Sequence, residues 1–558
     1  MKERRLAGQV MLLTASGLVV KLAGLFFKLP LTTLIGEEGM GYFNTAYTLF
    51  VWFYTLSTSG LPTAEAMMIS RTERKTADKR KILIVSLLIF LVLGILGTLV
   101  MAAGADGFSK LLKAEKSSLP ILAVSPVLFF ICLSAALRGY FQGIGELRPH
   151  AFSQIAEAAG KLFLGVALAK WSIDREDPPE VAAAWAALGL CGGIVAGLIV
   201  LMLSFIVTNR QTKNQTGSSE LKIVNIAKNL AKSAIPITLS ASAMSLTSIL
   251  DTLVMTRRLA ETGLSQAETI AIYGNYSSLA VPMFNLPPVL VYPIAYALMP
   301  VLSSLYKTPV VQNGTKRGSE WSTEARQNAS SACAEAARMT MLISLPCVVG
   351  MTVLSGNVLS LLFPDELAKR GAMMLTLLAP SSFFVCLLAL ENTILQAFGR
   401  EKTALYAVLA GSAVKLVSSW FLIPALGKYG TPVSTFLCYF AICLIDAAAI
   451  ARYTPVNPSS DIFAVKISAR PLVSSYISVL FAAMICRILP ESRVVTIISV
   501  IIAAIIYIAL QYKDIKNLIG KQNKKKEENN NEQAENRGSE GQRKLQNRRS
   551  DRDNVDPA

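Results

Sequence analysis

The chain has 558 residues, 53% of them hydrophobic and 16% charged, with a mean hydropathy of +0.47. A soluble domain runs at about 45–50% apolar and about 25% charged, so hydrocarbon is the better solvent for this surface. A soluble enzyme, a disordered scaffold and a secreted disulfide domain are set aside. The net charge of +17 would suit nucleic acid, but its distribution points elsewhere.

The elements come in chain order. Lys2, Arg4 and Arg5 precede an apolar run, as in a signal peptide, but that run is long, holds Lys21 and Lys28 and lacks a clear cleavage site. It is therefore the first of a series of spans. A membrane helix needs about 20 apolar residues. Fourteen stretches qualify: 9–35, 42–70, 82–104, 119–142, 151–171, 181–208, 232–257, 270–305, 337–363, 371–398, 403–425, 430–451, 471–489 and 493–512. The short alternating segments of a barrel are absent, and the fold class is an all-α polytopic membrane protein.

Orientation follows the Lys and Arg bias. With the N-terminus inside, inner segments hold 25 of these cations, outer loops 12 and the tail after Tyr512 another 12. Both termini are expected in the cytoplasm. The tail, 516–558, is basic and nearly free of apolar residues, and reads as disordered. A solvated extension that touches anionic lipid through Lys524, Lys525 and Lys526 is the favoured reading and nucleic-acid binding the sharper alternative; no nucleic acid is expected as partner.

Cofactor chemistry finds no foothold. The eight cysteines form no CxxC pair, His150 is the one histidine, and no GxxxxGK[ST] or GxGxxG occurs. Neither a metal nor another cofactor is expected, and no nucleophile–base pair stands out.

Five cations remain within spans: Lys21, Lys28, Arg138, Lys161 and Lys415. The acids there are Glu65, Glu157, Asp251, Glu391 and Asp446. A charge at bilayer depth costs about 2.5–3.5 kcal/mol on the lenient scale, so these side chains should face protein or water. Arg138 lies near a span end, where it could snorkel, and Glu65 and Asp446 are within reach of an interface. The four lysines sit deeper. Glu157 and Lys161, four apart, share a helix face and can pair, either as a brace or as a cavity wall. Lys28 precedes Pro30, where a helix break would open backbone groups to a cavity. Cations gathered in a watery cleft suit a phosphate or pyrophosphate.

The chain echoes itself. Leu137-Arg138-Gly139-Tyr140-Phe141-Gln142-Gly143 leads to the span with Lys161, and Leu395-Gln396-Ala397-Phe398-Gly399-Arg400 leads to the span with Lys415. The two segments lie six spans apart, which predicts two parallel six-helix halves placing both lysines on one cleft. The expected organisation is a lobe over 1–225, a second over 226–455, two further helices over 456–515, then the tail. The seventh span is polar, with Thr238, Ser240, Ser242, Ser245, Thr247, Ser248, Asp251 and Thr252. Interhelical bonding or a path lining would explain this. The eighth carries Pro282, Pro287, Pro288, Pro293 and Pro300, and must bend or break.

These stretches, with Val20-Lys21-Leu22-Ala23-Gly24, Leu34-Ile35-Gly36-Glu37-Glu38-Gly39, Asp251-Thr252, Tyr273-Gly274 and Asn285-Leu286-Pro287, resemble the multidrug/oligosaccharidyl-lipid/polysaccharide flippase superfamily. The matching branch is that of stage V sporulation protein B and related polysaccharide biosynthesis proteins. The resemblance spans about residues 5–512. It implies two V-arranged six-helix lobes, two C-terminal helices and alternating access. It also implies a cargo of undecaprenyl-pyrophosphate-linked saccharide, foremost the peptidoglycan precursor lipid II, flipped from inner to outer leaflet of a bacterial cell membrane. Lipid II flippases of this superfamily use cations on helices 1 and 8. Lys21 and Lys28 occupy comparable places on the first span. The acid–arginine pair of helix 8 has no counterpart in Leu279-Ala280-Val281-Pro282-Met283-Phe284, which leaves Lys161 and Lys415 to supply charge.

The expectation is a flippase, not an enzyme. Lys21, Lys28, Lys161, Lys415 and Arg138 bind substrate, and Glu157, Asp251 and Glu391 serve ion coupling or line the cavity. The alternatives are an exporter of another polyprenyl-linked unit, a cation-coupled multidrug exporter, a membrane enzyme acting on polyprenyl sugars, and a scaffold for cell-wall synthesis proteins.

Overall fold

The computed structural model describes residues 2–72, 76–211, 222–306, 323–463, 465–490, 492–514 and 516. The tail expected to be disordered lies outside them. Among the described residues the elements are helical and none is a strand. Two compact units emerge, 1–464 and 465–558.

The first unit opens with α1 (Lys2–Thr58), α2 (Leu61–Arg71) and α3 (Thr76–Ala103). The short α4 (Ala105–Leu111) and α5 (Ser118–Val124) lead into α6 (Val127–Gly143), α7 (Arg148–Ile173) and α8 (Pro179–Gln211). Then come α9 (Ile223–Ala260), α10 (Gln266–Asn275), a π-helical turn (Tyr276–Ala280), α11 (Val281–Phe284) and α12 (Leu286–Tyr306). The unit closes with α13 (Thr323–Val353), α14 (Ser355–Leu362), α15 (Asp365–Ala397), α16 (Glu401–Leu426), α17 (Gly430–Tyr453) and α18 (Pro458–Asp461).

Among the described residues, ten helical stretches are long and apolar enough to cross a membrane. One of them, 401–453, covers two of the fourteen expected spans. Neither α1, on which the first expected span and part of the second fall, nor the polar α9 is among the ten, although their 57 and 38 residues exceed the length that a crossing needs. The outward surface is apolar, with Leu99, Phe163 and Phe421 exposed, as a hydrocarbon solvent requires.

The break in α1 corrects the expectation at Pro30. The helix runs through Pro30, where Thr32 donates its hydroxyl to the Lys28 carbonyl at 2.7 Å. It bends instead at Gly36, whose φ of 69° suits a residue without Cβ. Beyond the bend α1 is stitched to the α9–α10 region. Asn44 donates to Ser278 Oγ at 2.7 Å, and Ser245 donates to Thr55 Oγ1 at 3.0 Å. Part of the polarity of α9 is used in this way, as Thr238 also accepts from the Gly60 amide at 3.2 Å. The side chain of Ser240 lies outside the described residues.

Two further expectations are corrected by burial. Glu65 and Asp446 do not reach an interface; both are fully buried within the unit. Neighbouring helices surround those span ends, a feature that position along a hydropathy plot does not carry.

The second unit contains α19 (Val465–Ile488) and α20 (Arg493–Asp514). Arg470 pairs with Asp514 at 3.1 Å, and Gln511 donates to Ser474 at 2.9 Å, joining the first turns of α19 to the last turns of α20.

α7 packs closely on α8 through small residues. A Cβ on Gly193 would lie 2.5 Å from the Lys161 amide nitrogen and 2.8 Å from the Glu157 carbonyl. Replacing Gly193 by Leu should cost about 1–3 kcal/mol through overpacking and lower the melting temperature of the detergent-solubilised protein. Gly107→Ala, where the added carbon meets nothing within 4 Å, should leave it unchanged.

Candidate functional site: a cleft with three lysines

Two adjoining cavities occupy the first unit. One, of about 420 Å³, is bordered by α1, α7 and α12 and is mainly apolar, with Val20, Phe27, Leu190 and Val289 beside Lys28 and Lys161. The other, of about 590 Å³, lies among α1, α9, α15 and α16 and is richer in polar groups, including Ser248, Thr252, Tyr273 and Lys415. Lys28, Tyr47, Val281, Asn285 and Tyr292 border both, and these five form the neck where the two chambers adjoin.

The positions of Lys161 and Lys415 follow from one repeated device. α6 and α15 each end in a turn with glycine in the left-handed region, Gly145 at φ 79° and Gly399 at φ 69°. In both turns an amide bonds five residues back: Glu146 to the Phe141 carbonyl at 3.0 Å, and Arg400 to the Leu395 carbonyl at 2.7 Å. This is the glycine-ended helix cap, which satisfies the last carbonyls and reverses the chain. Each lysine stands sixteen residues beyond its glycine, so the two echoed segments align without a gap.

The lysines differ in their partners. Lys161 donates to Glu157 Oε1 at 2.5 Å, while Arg138 holds Glu157 Oε2 at 2.6 Å. Arg138 therefore does not snorkel: a carboxylate one helix away pairs with it, and it stands behind Glu157 rather than on either cavity wall. Lys415 donates to Asp251 Oδ2 at 2.8 Å, a pairing across 164 residues that no helix periodicity announces. Lys28 donates to the Ser277 carbonyl at 3.1 Å. That carbonyl belongs to the π-helical turn, whose disturbed ladder frees an acceptor toward the cavity. Among the described residues no carboxylate lies within ion-pair distance of Lys28.

The remaining expected residues fall elsewhere. The side chain of Lys21 lies outside the described residues. Glu391 is fully buried beside Cys443, whose thiol lies 3.5 Å from Oε1, and does not border the cavities. Glu157 and Asp251 do border them, each already engaged by a lysine. Sequence reasoning missed Tyr47, Asn285 and Tyr292. Asn285 was signalled by its place among prolines, since it interrupts the helix between α11 and α12. The two tyrosines carried no such signal.

With one cation paired by hydrogen bonding alone and a triad carrying one surplus positive charge, the cleft can attract an anion.

Comparison with known proteins agrees with this reading of the fold. A family model described as polysaccharide biosynthesis protein matches residues 6–306, and the MatE model matches 318–421. Stage V sporulation protein B of Bacillus subtilis (strain 168) is 26% identical over 460 residues, covering 80% of this chain and 84% of that one. Lipid II flippase MurJ of the same organism is 22% identical over 463 residues, covering 79% and 81%. Among solved structures, lipid II flippase MurJ in an inward closed conformation matches with a TM-score of 0.66 at 14% identity, over 91% of this chain and 100% of that one. An inward-facing multidrug resistance MATE family transporter of the MOP superfamily matches at 0.59 and 16%, over 76% and 92%. A multi-pass membrane protein of transporter fold is the common result.

Removing one member of a buried ion pair leaves an uncompensated charge, at a cost of about 3–5 kcal/mol. Lys415→Met should therefore lower thermal stability markedly. Adding Asp251→Asn should restore most of it, since Asp251 Oδ1 is buried without a hydrogen-bond partner and an amide carries no charge to compensate. Melting of the purified variants checks both outcomes.

Proposed function

The chain belongs to the polysaccharide biosynthesis protein family, and on that premise we propose that it is a flippase for a polyprenyl-pyrophosphate-linked saccharide. The peptidoglycan precursor lipid II is the foremost cargo, and another undecaprenyl-linked polysaccharide unit is the alternative. The direction is from inner to outer leaflet of a bacterial cell membrane, with both termini cytoplasmic, as the cation bias favours.

The observation that carries this reading is the Lys28 ammonium at the neck of the cleft with a carbonyl, not a carboxylate, as its partner. A diphosphate entering there meets an uncompensated cation in a region of low dielectric, where a charge-assisted bond is strong. Lys161, on the same chamber wall, adds the surplus charge of its triad. The lipid tail stays in the bilayer while residues 1–225 and 226–455 act as the two lobes that rock to change access.

A multidrug exporter for cationic compounds is the weaker reading. Such a cargo wants a free acid, and the carboxylates bordering the cleft, Glu157 and Asp251, are each held by an ammonium group.

The test is depletion. Loss of the protein should accumulate its lipid-linked saccharide on the inner leaflet, read by mass spectrometry of extracted lipids with a leaflet-selective probe. Lys28→Gln should fail to restore outward movement while reaching wild-type abundance in the membrane. Undiminished flipping by that variant, or an unchanged lipid pool on depletion, would overturn the proposal.

A further inference from the structure

The neck between the chambers contains more than a cation. Its other bordering side chains are two tyrosines, an asparagine and a valine. Each tyrosine ring has a roughly parallel aromatic neighbour. Phe43 lies nearly parallel to Tyr47, at 9° with centroids 6.0 Å apart, and Tyr296 lies 23° from Tyr292 at 6.2 Å. Tyr47 is nonetheless 37% exposed, although it stands in a stretch of α1 whose neighbours are mostly buried. Asn285 is exposed as well, its amide nitrogen donating to the Val281 carbonyl at 2.9 Å.

Oriented aromatic faces, an amide and an ammonium group within one constriction match the chemistry of a glycosyl phosphate. A pyranose ring has an apolar face of C–H groups that packs on an aromatic face, whose electron-rich centre attracts their partial positive charge. Its edge carries hydroxyls that an asparagine can bond. Its anomeric oxygen carries the phosphate, which needs a cation one bond beyond the ring. The wider chamber beyond the neck continues in the same chemistry. Hydroxyls of Thr48, Ser248, Thr252 and Tyr276 border it, and its charged pair Lys415–Asp251 is neutral overall.

We propose that Tyr47 and Tyr292 form the platform that reads the sugar attached directly to the diphosphate, with Lys28 on the phosphate and Asn285 on the sugar's hydroxyls. The wider chamber then receives uncharged, polyhydroxylated units. This assignment rests on the flippase reading above and gives it a specificity element: the neck selects for a sugar on the diphosphate, not merely for a diphosphate.

The experiment uses the full chain in nanodiscs. Binding of two probes, undecaprenyl pyrophosphate and undecaprenyl-pyrophosphoryl-N-acetylglucosamine, is titrated by native mass spectrometry. The wild type should prefer the sugar-bearing lipid by about tenfold, the upper range for one well-placed aromatic contact. Tyr47→Ala and Tyr292→Ala should each bring that ratio toward unity. Tyr47→Phe and Tyr292→Phe, which keep the ring face, should retain it, and Lys28→Gln should weaken both lipids alike. Alanine variants that keep the wild-type ratio, or phenylalanine variants that lose it, would overturn the platform. A wild type that binds both probes equally also removes the platform but leaves the flippase reading intact. A wild type that binds neither removes the flippase reading itself.

Discussion

The constraint on which the rest of this structure depends is the cost of keeping ammonium groups at bilayer depth. A lysine there must be paired, or must stand in a wet cavity with polar neighbours. Both solutions are used. Lys161 and Lys415 are paired with acids, and Lys28 stands at the neck with a backbone carbonyl. The bends in the α10–α12 region follow from the same constraint. Irregular backbone is tolerated at membrane depth where it borders a cavity, and here the π-helical turn supplies the carbonyl that Lys28 needs. The close approach of α8 at Gly193 supports Glu157 and Lys161 from behind, so the charged wall rests on small-residue packing.

The two lysine-bearing helices show how topology sets charge placement. Once a helix ends in a left-handed glycine, the chain returns at a fixed angle, and a residue at a fixed distance along the next helix reaches a fixed depth. Gly145 with Lys161 and Gly399 with Lys415 share that distance. The partners, however, diverged: one lysine bonds an acid on its own helix, the other an acid on α9. The repeat thus places the cations, and local sequence decides what balances them.

This separates what the sequence made legible from what it concealed. Apolar runs and the Lys/Arg bias are local properties, so the helical class and most spans could be read directly. Glu157 with Lys161 was readable because helical period alone brings them together. Lys415 with Asp251 was not, because the packing of α9 against α16 creates that contact. Arg138 looked free to snorkel because its acid lies on the following helix. Pro30 drew attention as a helix breaker, yet the bend went to Gly36, where backbone freedom rather than a missing donor decides. Tyr47 and Tyr292 are invisible as site residues, since an aromatic in an apolar span reads as core until the cavity beside it is seen.

Charge balance finally bears on how such a cleft is driven. Counting only described side chains, Lys28 contributes one positive charge, the Arg138–Glu157–Lys161 triad one more, and Lys415–Asp251 none. A doubly anionic diphosphate brings this total to neutrality. Under the flippase reading proposed above, the loaded cleft would then change access with little electrical work. The empty cleft of such a flippase, on turning back from the outer to the inner face, would carry positive charge toward a negative interior. An inside-negative potential of about 100 mV favours that return by about 2.3 kcal/mol for each full charge moved. For the flippase proposed above, this balance would let the membrane potential act on the empty protein rather than on the cargo, with its own lysines as the charges moved.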